Sequence, residues 1–417
     1  MDRERIAWVE LGPAAPIEAA AIELRAAIEE RDPAVKERAR ALDALVMQPL
    51  RAVWGEPGTL IVAPDGPLCF VPFAALVDED GRFLMERHGI TNLAAGRELL
   101  RLAPALEPAR VPVIVVDPEF GPPSTASPLS CGSVERLPGT LEEARTLQSR
   151  VGPVQLVHGP EATETALKAV RAPSLFHVGV HGLYLSSYDG CSEGSDATRG
   201  VKVVHRPRSR TSVGDVDAPW NERGFGMLRS ALLLAGVNTG GSGADDGYLS
   251  ALEVASLDLH GTRLVVLAAC DTARGEALDG QGVMGLQRAF AIAGARSVLM
   301  TLWRVRDEVA PALLDTFYRE LLVYGAGRGA ALRTAQLELL HDPLLAHPYH
   351  WATFVMAGDP GPLDPEARAV LRPPPTERDH GDALVLLATL AVMMLVLGLH
   401  GIVHWLRAPT RGSARPG

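Results

Sequence analysis

The feature that most constrains the fold is a strict alternation of short apolar runs with helical stretches. VPVIVVD (111–117), VQLV (154–157), SLFHVGV (174–180), ALLLAG (231–236), RLVVLAAC (263–270) and SVLMTLW (297–303) are apolar nearly throughout. A strand with one wet face alternates apolar and polar residues, so runs without alternation belong to a sheet covered on both faces. Between them lie TLEEARTLQ from 140, ATETALKAV from 162, GVMGLQRAFAIAG from 282 and DEVAPALLDTFYRELL from 307, which carry helical spacing. Strand, helix, strand in sequence predicts a mainly parallel, doubly wound α/β sheet. Upstream, residues 17–52 are rich in Ala, Glu, Arg and Leu and predict one or two helices. TLIVAPDG (59–66) predicts a strand closed by an Asp–Gly turn, with LCFVPFAAL following as its partner.

Two segments break the rhythm. Residues 185–226 are polar and Gly/Ser-rich and carry a basic run, Arg199, Lys202, His205, Arg206, Arg208 and Arg210. A solvated loop is the expected reading, with a regulatory or cleavable insert as the alternative. Residues 237–247 predict a Gly/Ser/Asp loop leading into a helix at Leu249.

Composition narrows the function classes. With 47% apolar and 22% charged residues over 417 positions, the chain can bury a large core, and wholesale disorder and fibrous repeats are excluded. A net charge of -10 gives no electrostatic basis for nucleic-acid binding. Cys69, Cys131, Cys191 and Cys270 are scattered, with no CxxC and no zinc-type spacing, which fits a reducing compartment. The opening residues MDRERIAWVE lack the apolar centre of a signal peptide, so the main body is expected to be cytoplasmic.

The far end differs. Residues 383–406 (ALVLLATLAVMMLVLGLHGIVHWL) contain no Asp, Glu, Lys or Arg and are long enough for a hydrocarbon layer of roughly 30 Å. They follow a Pro-rich linker at 363–382 and precede a short basic tail at 407–417, so a single transmembrane helix is predicted. Arginines balance across it, with Arg368, Arg372 and Arg378 before and Arg407, Arg411 and Arg415 after. The missing signal peptide is what favours a cytoplasmic body on a tail anchor.

GxSxG, P-loop and HExxH signatures are absent, and GAGRGA (325–330) lacks the spacing of a dinucleotide fingerprint; no cofactor is called for. His341, His347 and His350 lack an acidic or cysteine companion at metal-ligand spacing and are expected to be surface or packing residues. Two strand ends stand out. The run ending at Cys270 and the run ending at His181-Gly182 would each deliver a reactive group to the carboxyl edge of the sheet, where open α/β folds bind ligands. If the two strands are neighbours, thiol and imidazole meet. A free thiol is only a few per cent thiolate at neutral pH, and a histidine takes its proton and later protonates the leaving amine. The Gly182 and Cys270 N–H groups would together form an oxyanion hole. Against this stands a buried structural cysteine, a common fate for Cys at the end of an apolar strand. His177 is four residues before His181, on the same strand face and deeper, and is expected to be structural.

The words around these residues, FHVGVHG (176–182), LVVLAACDTA (264–273), GVMGLQRAFAIAGARSVLMTLWRVRDE (282–308), FYRELL (317–322) and HPYHWATFVMAGDP (347–360), resemble the CHAT domain, a caspase-like module related to separases and caspases. IAWVELGPAAPI, LIVAPDGPLCFVPFAAL, LPGTLEEA and HGPEATETAL resemble it in the same order, so the likeness spans residues 5–360 and a domain of 1–362. It implies a caspase-like α/β/α sandwich and a cysteine endopeptidase with His181 and Cys270 as its dyad. It also places Asp307 at the pocket for the side chain preceding the scissile bond, a residue that helix capping would explain equally well. Two departures bear on chemistry. Ala268-Ala269 stand where Ser-Ala is common, and the acidic Asp271 follows the nucleophile and disfavours the thiolate. Family members often carry TPR repeats ahead of the domain, so a separate sensor or regulatory protein is an expected partner. The reading is a membrane-anchored cysteine endopeptidase acting on a cytoplasmic protein, as an effector of a bacterial stress or defence system. The alternative is a catalytically silent scaffold of the same fold.

Overall fold

Leu264, Val265, Val266 and Leu267 form a strand whose four side chains are each at most 1% exposed. Successive side chains point to opposite faces, so both faces of the sheet are covered there. In this computed structural model the described residues are 6–371 apart from 56, 102–109, 124–132, 185–225, 241–244, 269–274, 279–281 and 304–308. The chain divides into Met1–Arg372 and Pro373–Gly417. The predicted transmembrane helix, its flanks and nearly all of the polar insert therefore lie outside the described residues. Within them, no helix is long and apolar enough to cross a membrane.

Three N-terminal helices, α1 (Ala14–Glu29), α2 (Val35–Val46) and α3 (Gln48–Trp54), precede β1 (Thr59–Val62) and β2 (Gly89–Asn92). Then come β3 (Val113–Pro118), α4 (Pro138–Arg150), β4 (Gln155–Gly159), α5 (Glu164–Lys168) and β5 (Leu175–Gly179). A smaller set follows: β6 (His181–Tyr184), α6 (Gly226–Arg229), β7 (Ser230–Leu233), β8 (Tyr248–Ser250) and α7 (Ala251–Val254). The remainder is β9 (Leu264–Leu267), β10 (Gly275–Leu278), β11 (Gly282–Gly285), α8 (Leu286–Ala293), β12 (Ser297–Thr301), α9 (Val309–Tyr318), α10 (Arg328–His341), α11 (Pro348–Trp351), β13 (Phe354–Gly358) and α12 (Pro365–Leu371).

The main sheet has the order β1-β2-β13-β12-β9-β5-β3-β4. From β12 to β4 all pairings are parallel, as are those from β1 to β13, and the two blocks meet at the antiparallel β12–β13 seam. Helices cover both faces. His177 of β5 meets Tyr318 of α9 and Glu143 of α4 on one side, while Phe176 packs edge-on against Phe290 of α8 on the other, with ring centres 6.4 Å apart. The mainly parallel α/β architecture is as the alternation predicted.

Several local expectations needed correcting. LCFVPFAAL is not the partner of β1: it folds as two 3₁₀ turns, Gly66–Phe70 and Phe73–Ala75, and β1 pairs in parallel with β2. Pro67 and Pro72 supply no N–H for a ladder and fix φ for a turn. ALLLAG does form a strand, β7, but in a separate antiparallel sheet of order β6-β7-β8, since an apolar run announces burial and not its partner. Gly282–Gly285 is strand β11 and the helix begins only at Leu286, the glycines at either end being poor helix formers. The 237–247 loop leads into strand β8 before the helix α7, which Ser250 and Glu253 cap reciprocally.

The α12 terminus is fastened to the sheet by charge. Arg263, at the start of β9, donates to the Asp364 carboxylate at 2.9 Å, and the Ala367 N–H donates to it at 2.8 Å. Burial pushes this carboxyl up, but the Ala367 N–H and the Arg263 guanidinium outweigh burial and hold it below its ordinary value of 3.8. A carboxyl with a lowered folded pKa stabilises the fold above its unfolded pKa and loses that contribution as pH falls through the folded one. The stability gap between the protein and its Asp364→Asn variant should therefore stay constant from neutral pH to about pH 5 and close below 3.8, as urea titrations at successive pH values would read.

Candidate functional site

The parallel register of β5 with β9 sets Leu175 opposite Leu264 and Val178 opposite Leu267, and the Ala268 N–H donates to the Val178 carbonyl at 2.9 Å. The condition posed by the sequence is met: the strands that run into His181 and Cys270 are neighbours with their carboxyl ends side by side. Cys270 itself, two positions beyond Ala268, lies outside the described residues, as does Asp307.

The chain bends at Val180 and leaves the main sheet, so His181 opens β6 opposite Leu233, and the half-buried Gly182 lies opposite Leu232. The bend separates the two histidines that strand spacing had put on one face. His177 stays in the main core, fully buried, with Nδ1 at 2.9 Å from the Tyr318 hydroxyl and Nε2 at 3.4 Å from Glu143. That is the structural role expected of it.

His181 is 3% exposed, and its ring lies 5.3 Å from that of Phe120, tilted by 38°. Its Nε2 is 2.8 Å from the Glu135 carbonyl oxygen. A carbonyl only accepts, so Nε2 carries the hydrogen, and in the neutral ring Nδ1 keeps the lone pair. The ring is thereby held in the tautomer whose Nδ1 is an acceptor. The segment supplying this carbonyl is tied down on both sides. Val134 is bonded through its N–H and its C=O to the Asn238 side chain, and Arg136 forms a two-pronged ion pair with Asp117. Asp117, next to last in β3, has a left-handed conformation (φ 44°), and its N–H donates to Thr140 Oγ1 at 3.0 Å. The paired Asp117 carboxylate raises the Arg136 guanidinium above its usual range.

Cys69, the free cysteine among the described residues, is a poor nucleophile: burial, with Asp65 adding to it, pushes its thiol up to about 11. Of the C-terminal histidines, His347 accepts the Tyr349 N–H at 3.1 Å and so caps α11, and His350 is buried at 7%. Both are packing residues, as expected. Glu135 left no signal in the sequence, because a backbone carbonyl has no residue type. Phe120 and Asn238 were also missed; the signal for Asn238 was its place between Gly236 and Gly240.

With that geometry in place, the class is that of a mainly parallel α/β protein with its candidate site at the carboxyl edge of the sheet. The CHAT domain model matches residues 36–359, and the chain belongs to the CHAT domain family. Similar proteins include Tetratricopeptide repeat protein 28 of Mus musculus, 27% identical over 331 residues, and that of Homo sapiens, 26% identical over 324 residues. Each alignment covers 73% of this chain and 12% of the relative, so the chain spans about an eighth of their length. Similar solved structures include the Saccharomyces cerevisiae separase–securin complex, with 14% identity, a TM-score of 0.41, 72% of this chain and 15% of that one. The Arg-specific cysteine proteinase gingipain R is similar at 11% identity and a TM-score of 0.44, covering 84% of this chain and 75% of that one.

The two histidines should separate in experiment. His177→Ala, which strands the Tyr318 hydroxyl in the core, should cost about 2–4 kcal/mol in urea unfolding, and His181→Ala no more than about 1–2 kcal/mol. Equal losses would contradict the division of roles.

Proposed function

We propose that the chain is a cysteine endopeptidase that cleaves a protein substrate with Cys270 as nucleophile and His181 as base. The observation that carries this is the side-by-side ending of β5 and β9, supported by membership of the CHAT family. The Cys270 thiol gives its proton to His181 Nδ1 as sulfur attacks the scissile carbonyl. The Gly182 and Cys270 N–H groups receive the oxyanion. The protonated imidazole then gives its proton to the leaving amine, and the C–N bond breaks to leave a thioester. Water, deprotonated by His181, hydrolyses it and restores the thiol. Asp307 is assigned to the pocket for the residue before the cleaved bond. A separate sensor or regulatory protein is the partner that would trigger cleavage. We further propose that residues 383–406 anchor the protein in a membrane with the peptidase body on the cytoplasmic side; their length and freedom from charge support this.

Proteome-wide mapping of new termini in cells expressing the wild type, Cys270→Ala and His181→Ala tests the reaction. Fragments should appear with the wild type and fall by about 10³-fold or more in both variants. Identical termini in all three, together with no labelling of Cys270 by a thiol-reactive peptide electrophile, would replace this reading with that of a silent scaffold binding partners at the membrane. Placement is tested separately. Deleting 383–406 should move the protein from the membrane pellet to the supernatant, and unchanged partitioning would remove the anchor.

A further inference from the structure

We propose that Asn238 is the positioning residue of His181. Its carboxamide clamps the backbone on both sides of the imidazole and so holds the carbonyl that sets the ring's tautomer. Asn238 is 2% exposed and sits in the 3₁₀ turn Val237–Thr239, between β7 and β8. Its Oδ1 accepts the Val134 N–H at 2.8 Å, while its Nδ2 donates to the Val134 carbonyl at 2.8 Å and to the Gly121 carbonyl at 2.9 Å. The Asn238 N–H donates to the Phe120 carbonyl at 2.9 Å. Both amide hydrogens and the amide oxygen are thus used, and an amide flip would set donor against donor at Val134.

The targets of these bonds are what matter. Val134 directly precedes Glu135, whose carbonyl accepts from His181 Nε2, and Phe120 carries the ring that packs on His181. The Asn238 side chain therefore bonds the residue before Glu135 and the residue after Phe120, while its backbone N–H bonds Phe120 itself.

Among the described residues, Phe120, Val134, Leu233 and Val237 form a cluster of their own apart from the main core, with Leu183 and Tyr248 packed at its margin. Apolar contacts tolerate small sliding motions, whereas the three hydrogen bonds of the Asn238 side chain have fixed directions and do not. The backbone is also shaped to admit the turn. A Cβ on Gly121 (φ 81°) would lie 2.8 Å from Thr239 Cγ2, and one on Gly247 (φ 80°) would lie 2.5 Å from the Val237 nitrogen. Both glycines let the Asn238 turn approach at distances that no other residue permits.

The consequence for cleavage rests on the dyad proposed above; the hold on the ring does not, and the test separates them. The full chain, labelled with ¹⁵N-histidine, would be compared with Asn238→Ala, Asn238→Ser and, as a control in the same turn, Thr239→Val. The control keeps Cγ2 and loses only the Oγ1 bond to the Gly236 carbonyl at 2.8 Å. The His181 resonances are assigned by their loss in His181→Gln. The wild type and Thr239→Val should show the Nε2–H tautomer, and the Asn238 variants a mixture of tautomers. Asn238→Ser decides the matter if the alanine variant fails to fold. Alkylation of Cys270 by iodoacetamide at neutral pH should slow roughly 10- to 100-fold in the folded Asn238 variants and in His181→Gln, with pH profiles moved toward that of a free thiol. An undisturbed His181 tautomer in both Asn238 variants, or equal disturbance by Thr239→Val, would overturn the proposal. If the tautomer depends on Asn238 while His181→Gln leaves alkylation unchanged, the clamp stands and the endopeptidase reading falls.

Discussion

The parallel pairing of β5 with β9 is the contact on which the rest depends. Its residues are buried on both faces, so amphipathic alternation cannot select the register as it does in a half-exposed sheet. Selection falls instead to the one polar side chain in the β5 run. His177 has a partner only when it faces the Tyr318 hydroxyl, and a slip of one residue would drive it toward Phe290 of α8. An unpartnered buried imidazole costs more than any methylene contact recovers. The register so chosen sets where β5 and β9 end, and hence which residues reach the carboxyl edge together.

That logic accounts for what the sequence disclosed. The runs at 111–117, 174–180, 263–270 and 297–303 have no polar alternation, and all four became inner strands of the main sheet. The neighbourhood of β5 and β9 was legible only as a condition, because strand order depends on how helices pack and not on the runs themselves. The 231–236 run shows the limit most clearly. Its burial was evident, yet it pairs with β6 and β8 in a different sheet, since apolarity says that a strand is covered and nothing about what covers it. LCFVPFAAL shows another: its β-prone residues are overruled by two prolines.

The site was half legible for a related reason. His181 and Gly182 are visible as residue types at the end of a strand. The groups that orient His181 are a backbone carbonyl, an aromatic ring 61 residues upstream and an asparagine 57 residues downstream, and no local pattern links them. Such partners become recognisable only once the fold has brought three distant loops together. Asn238 was foreshadowed by the flanking Gly236 and Gly240, with φ of 86° and 79°, which mark a turn whose shape was already constrained.

The bend at Val180 gives this arrangement its physical sense. Three residues separate His177, locked into the main core, from His181, whose ring packs on Phe120 of a cluster apart from that core. For the base proposed above, which must accept a proton, release it and tolerate an arriving chain, a place outside the main core suits better than one locked inside it. The cost of that placement is orientation, because apolar contacts alone do not set the direction of a ring. Directional bonds from Glu135, and through Val134 from Asn238, provide what packing does not. The division between a core that sets where the strands end and a hydrogen-bonded satellite that aims the imidazole follows from that bend.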